Sequence, residues 1–286
     1  MRGVMIPYTI KDGDEAYANV LNIPNSEVYP GRWHEAAAAF RNKLVTAGRF
    51  EQAITYGPLA RNTLELLLPK QRPHGLVVFV HGGYWRRFDP SLFWHLSAGP
   101  LAHGFAMAMP RYSLCPDVRV GDITGEIASA VSHAASRVDG PIHMVGHSAG
   151  GHLVTRMISH TSPLPEVVRS RIAGSLSISG IHDLRPFLQL KLNDTLQLDK
   201  QEAYAESPAL LEPAGRVKLT CWVGAAERSE FVRQNALLAN VWRGLGALTA
   251  CVEEPDRHHF NVIEGLASPD SALTLAAIGG LAKISM

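Results

Sequence analysis

The sequence is short of almost everything that would mark a specialised class. Its 286 residues carry 27 Lys and Arg against 26 Asp and Glu, a net charge of +1. That balance offers no electrostatic footprint for nucleic acid or for an anionic membrane surface. No stretch is long and apolar enough to span a bilayer. The first residues, MRGVMIPYTIKDGDEAY, lack the apolar core of a secretory leader, so a cytoplasmic location is expected. Cysteine is scarce: Cys115, Cys221 and Cys251 lie far apart. Cys221 and Cys251 fall in apolar runs and read as reduced core residues, which excludes a disulfide scaffold. The 13 histidines form no His-Glu-x-x-His or Cys-x-x-Cys pattern, so neither a metal nor another cofactor is expected. Repeats, low-complexity tracts and interdomain linkers are also missing. A small-molecule enzyme of one domain, 1–286, fits what remains, and a homodimer is left open.

What is present is an alternation of buried strands and helices. The run at 76–80 is continuously apolar, as suits a strand buried on both faces, and those at 105–109, 142–145, 172–178, 219–224 and 248–252 read as further strands. Helical spacing marks 31–47, 123–138, the run after residue 152, a segment that Ser229 would cap, and 270–284. Two further strands, 53–56 and 63–68, would form an antiparallel edge. The pattern predicts an α/β fold with a mostly parallel sheet and helices on both faces. Residues 1–50 form an N-terminal helical extension, whose helix is expected to pack rather than act as a lid. Residues 181–216, rich in Pro and short of periodicity, read as a small cap above the site.

The chemistry gathers around Gly146-His147-Ser148-Ala149-Gly150, which follows one strand and opens a helix. Such a turn is too tight for side chains at its flanks, and Gly146 and Gly150 supply none. It lifts the Ser148 hydroxyl to a helix N-terminus, where developing negative charge is favoured. A serine needs a base, and the base needs an orienting acid; in an open parallel sheet both belong after later strands. Glu227 is the first carboxylate after 219–224, with Glu230 as its competitor. After the last strand stand His258 and His259, of which His259 is preferred as base. For the oxyanion, Ala149 offers one amide. The loop His81-Gly82-Gly83-Tyr84-Trp85 offers others, from Gly83 and Tyr84 with Gly82 as a further candidate. Tyr84, Trp85, Tyr112 and His152 are the candidate substrate-binding residues, although packing is an equal role for Tyr84 and Trp85 and the better one for Tyr112 and His152.

From about residue 76 onward these motifs resemble the α/β-hydrolases. Within them the chain is similar to the hormone-sensitive-lipase-like esterases and, more closely, to the serine-type arylformamidases, or kynurenine formamidases. The resemblance rests on five segments: the His81–Trp85 motif, Tyr112-Ser113-Leu114-Cys115-Pro116, the Ser148 elbow, Ser179 through Pro186, and His259-Phe260. It departs from the family at the acid, where Glu227 stands in place of the usual Asp. The resemblance implies hydrolysis of N-formylkynurenine to kynurenine and formate. The alternative is a general short-chain carboxylesterase with a Ser-His-Glu triad. A hydrolase-fold binding protein lacking catalysis and a metal-dependent hydrolase are the more remote readings.

Overall fold

A computed structural model describes residues 10–279. Its centre is an eight-stranded sheet in the order β1-β2-β4-β3-β5-β6-β7-β8. The strands are β1 (Phe50–Thr55), β2 (Thr63–Leu67), β3 (Leu76–Val80), β4 (Ala106–Pro110), β5 (Ile142–His147), β6 (Ile172–Ile178), β7 (Lys218–Gly224) and β8 (Leu248–Glu254). β2 pairs antiparallel with both β1 and β4, and every pairing from β4 to β8 is parallel. The expected antiparallel edge and parallel body are both present. All five residues of β3 and of β4 are buried, because helices cover both faces.

One core layer joins the helix Val120–Arg137 and the elbow helix Ala149–Arg156 to one face of the sheet. The other face is covered by the helix Tyr29–Thr46 with Trp33, Ala37 and Leu44, together with Phe93, Phe260 and the helix Ala272–Ala277. The expected helix over 270–284 is thus shorter within the described residues, and its last part lies outside them. Two details differ from expectation. Ser229 is the first residue of the helix Ser229–Gly244 and its hydroxyl caps nothing; Arg228 occupies the cap position. Cys221 is buried, but its neighbour across β7 and β8, Cys251, faces outward on the edge strand. Both are free thiols. Among the described residues no helix is long and apolar enough to cross a membrane.

Residues 181–216 form short helical turns, including Lys200–Ala205. Phe187 from this segment packs against Tyr17, Tyr84 and Trp85, behind the loop that follows β3. The segment lines the back of that loop rather than the cavity in front of it. The front is covered by the N-terminal region, with Asn19, Val20 and Trp33 on the cavity wall. A strap of hydrogen bonds holds that region down. The Tyr17 hydroxyl donates to Glu230 Oε2 at 2.8 Å, Tyr84 donates to the Tyr17 carbonyl at 2.6 Å, and the Tyr29 hydroxyl meets His258 Nε2 at 3.0 Å. Arg228 adds an ion pair to Glu15 at 3.0 Å.

Candidate active site

Ser148 sits between β5 and the elbow helix with φ 56° and ψ −118°, a conformation that L side chains rarely adopt. The glycines around it explain how the backbone tolerates this. A Cβ on Gly146 would lie 2.1 Å from the Gly150 carbonyl oxygen, and one on Gly150 would lie 1.9 Å from that of Val80. No side chain fits at either point. Ser148 is only 1% exposed and its Oγ hydrogen-bonds to no protein group. Its amide is anchored to the Ile178 carbonyl at 2.8 Å.

The candidate acid and base, Glu227 and His259, meet beyond the carboxyl ends of β7 and β8. His259 Nδ1 lies 2.6 Å from Glu227 Oε2, and the Glu227 side chain is fully buried. The other carboxylate oxygen accepts from the Gly224 amide at 2.9 Å and from the Ser179 hydroxyl. Three hydrogen bonds therefore fix the carboxylate against the imidazole. The two loops approach because Gly224 is bare: a Cβ there would fall 2.2 Å from the Arg257 carbonyl oxygen. The Ala226 amide completes the seam by donating to that same carbonyl at 2.9 Å. With Nδ1 engaged by Glu227, the His259 ring leaves Nε2 for a reacting group. Ser148 and His259 line one cavity together with His147, Gly83 and Tyr84. The two make no hydrogen bond to each other.

The two alternatives raised by the sequence are placed elsewhere. His258 Nε2 bonds the Tyr29 hydroxyl, and its Nδ1 accepts from the Phe260 amide at 3.2 Å. Glu230 is bound by Tyr17 and by Arg233, both contacts at 2.8 Å, and makes no contact with His259.

The loop after β3 turns back on itself through three consecutive positive φ values, 113° at Gly83, 51° at Tyr84 and 55° at Trp85. Among the described residues, the Gly83 and Tyr84 amides donate to no protein acceptor. Gly82 lies behind them, where a Cβ would sit 2.8 Å from that of Ser148. Ala149 is the first residue of the elbow helix and fully buried. Tyr84 lines the cavity, but the other three candidate substrate-binding residues do not. Trp85, Tyr112 and His152 are completely buried, with their polar atoms spent on the frame. Trp85 Nε1 donates to His152 Nδ1 at 3.2 Å, His152 Nε2 meets the Glu206 carbonyl at 2.6 Å, and the Tyr112 hydroxyl donates to the His81 carbonyl at 2.9 Å. They brace the loop and the helix behind the site. Burial pulls His152 and His81 down to about 4, so both imidazoles are neutral struts.

Two residues at the site had no role assigned from sequence. His147 Nε2 meets the His259 carbonyl at 2.9 Å and ties the base loop to the nucleophile strand. Ser179, held at φ 51°, steadies Glu227. Both stood in recognised motifs, but only the fold shows what they touch. Among the described residues, no group of three or more His, Cys, Asp or Glu is placed to hold a metal ion.

The chain is similar to several known proteins. Kynurenine formamidase of Salmo salar is 29% identical over 210 residues, covering 70% of each chain. That of Danio rerio is 26% identical over 232 residues, covering 77% of this chain and 78% of its own. A crystal structure from Silicibacter sp., described provisionally as a thioesterase, is 44% identical with a TM-score of 0.87, covering 93% of this chain and 98% of that one. An esterase of Pyrobaculum calidifontis shares the fold at 15% identity and a TM-score of 0.66, covering 88% and 91%. Residues 77–276 match the alpha/beta hydrolase family, and the chain belongs to that family.

Proposed function

We propose that the protein is a serine hydrolase that cleaves an aryl formamide, such as N-formylkynurenine, or a small ester through an acyl-enzyme on Ser148. The observation that carries this reading is the 2.6 Å contact between His259 Nδ1 and a buried Glu227, at a cavity shared with an elbow serine. Ser148 Oγ attacks the acyl carbon while His259 Nε2 takes its proton. Glu227 holds the imidazole in the tautomer that can accept that proton and stabilises the imidazolium. The amides of Gly83, Tyr84 and Ala149 receive the oxyanion, each worth about 3 kcal/mol at the transition state. Gly82 supports the loop from behind. His259 then protonates the leaving amine or alcohol. Water, activated by the same base, releases the acid.

The size of the cavity favours a small acyl group. Its volume is about 40 Å³, room for only a few waters, walled by Phe88, Phe93 and Phe260. Formyl has no side chain to accommodate, and the similarity to kynurenine formamidases of fish points the same way. The esterase-like neighbours keep the general short-chain carboxylesterase as the second reading. The free thiols Cys115, Cys221 and Cys251 are in keeping with a cytoplasmic enzyme.

The test is kcat/KM for N-formylkynurenine against p-nitrophenyl formate, acetate and butyrate. A fluorophosphonate probe is expected to label the wild type and not Ser148→Ala. Labelling that persists in Ser148→Ala refutes the nucleophile assignment. A steep fall from formyl to butyryl supports the formamidase reading, and a flat series supports the carboxylesterase.

A further inference from the structure

The wall of the cavity carries donors that have nothing to bond. Asn19 is 5% exposed, and its Nδ2 is buried without a partner. The Nε1 of Trp33, on the same wall, is also buried and unpartnered. Arg87 lines the cavity too, and among the described residues no carboxylate comes within salt-bridge distance of it. Asp89, the carboxylate nearest in the loop, is already committed to Arg111 at 2.5 Å and to Arg61 at 3.7 Å. No Asp or Glu lies on the wall, and the Tyr84 hydroxyl is spent on the Tyr17 carbonyl.

Arg87 is exposed at the cavity rim, with its guanidinium 5.5 Å from the centre of the Phe88 ring. The bare Gly83 packs against the Arg87 carbonyl, where a Cβ would lie 2.2 Å from the oxygen. The guanidinium is therefore carried by the same turn that presents the Gly83 and Tyr84 amides. Partial burial, and then the like charge of Arg86, weakens its hold on its proton, a cost that an incoming anion relieves.

We infer that Arg87 and Asn19 form an anchor for a carboxylate on the leaving-group side of the substrate. The inference rests on the serine-hydrolase reading for its orientation: a formyl group carries no charge, so the anion must sit on the part that departs. A carboxylate suits this wall because it only accepts, with two oxygens for a guanidinium and an amide N–H. The enzyme thereby selects acidic over neutral aryl formamides or esters.

The experiment is direct titration calorimetry with benzoylpropionate and its neutral carboxamide, which needs no turnover. Wild type is expected to bind the carboxylate roughly tenfold or more tightly than the carboxamide. Arg87→Ala should erase that difference and Asn19→Leu should shrink it. Arg87→Lys should keep part of it, and Arg86→Ala should leave it intact. Equal binding of the two compounds by wild type, binding of neither, or a preference that survives Arg87→Ala overturns the anchor. Fluorophosphonate labelling, run in parallel, reports on Ser148 alone. Labelling without a carboxylate preference sinks the anchor and spares the hydrolase; preference without labelling does the reverse.

Discussion

Replacing Glu227 by Gln tests the proposed proton path at its least exposed point. The carboxylate accepts from His259 Nδ1, from the Gly224 amide and from the Ser179 hydroxyl. A carboxamide keeps the shape but turns one of the two oxygens into a donor. If the NH2 faces Nδ1, the imidazole must move its proton to Nε2, where it can no longer accept one from Ser148. If the NH2 faces Gly224, it opposes another donor inside a buried site. Either way the imidazolium formed during attack loses its counter-charge. Two unit charges about 4 Å apart attract by about 4 kcal/mol at an effective dielectric of about 20. The tautomer error adds to that loss, and in a serine protease triad the equivalent change costs about 10⁴-fold. A fall in kcat of about 10³- to 10⁴-fold is expected, or about 4–5.5 kcal/mol at 1.36 kcal/mol per decade. The assay is p-nitrophenyl acetate hydrolysis, with thermal unfolding to show that the fold is intact. Glu230→Gln is the matched control, since Glu230 binds Tyr17 and Arg233 rather than His259. A folded Glu227→Gln within tenfold of wild type, or an equal loss in Glu230→Gln, would refute the argument.

Other expectations concern the frame. Gly150→Ala should cost more than about 3 kcal/mol or prevent folding, because the new Cβ meets the Val80 carbonyl at 1.9 Å; urea unfolding reads this out. Gly125→Ala, with open space at the same test position inside the helix Val120–Arg137, should instead stabilise by about 0.5–1 kcal/mol. Stability should fall as pH drops from about 6.5 towards 4. His81, His143 and His152 are pulled down to about 4 by burial, so the unfolded chain takes up protons first; each lagging proton costs up to about 1.4 kcal/mol per pH unit. Identical urea midpoints at pH 7.5 and pH 5 would contradict this. Tyr84→Phe removes the bond to the Tyr17 carbonyl but keeps the backbone amide. Faster amide exchange in residues 12–22 and a raised KM, with kcat within a few fold, are expected.

The sheet was legible because the central strands β3 and β4 are solid apolar runs and the later strands are largely apolar, and the elbow because Gly146 and Gly150 bracket Ser148. Strand order then placed Glu227 and His259, since a carboxyl-end loop follows each of β7 and β8. Contacts that depend on distant backbone were not legible. Nothing near His147 announces that it bonds the carbonyl of a residue 112 positions away. Trp85, Tyr112 and His152 sit beside motif residues, but adjacency in sequence did not tell a wall from a brace. The roof was hardest to foresee: Asn19 and Val20 lie in a Pro-broken, aperiodic stretch, whereas 181–216 looked the better cover. Cys251 follows the strand pattern of a core residue, yet β8 is the edge strand and offers one face to solvent.

The strap has a bearing on biosynthesis. Residues 12–33 are synthesised about 200 residues before three of their moorings, Arg228, Glu230 and His258. A nascent chain halted before Glu227 has the elbow serine but neither the proposed acid nor the proposed base, and of the strap's moorings only Tyr84. Hydrolytic competence and closure of the reaction chamber therefore arrive in one late event, and unfinished polypeptides expose no working serine.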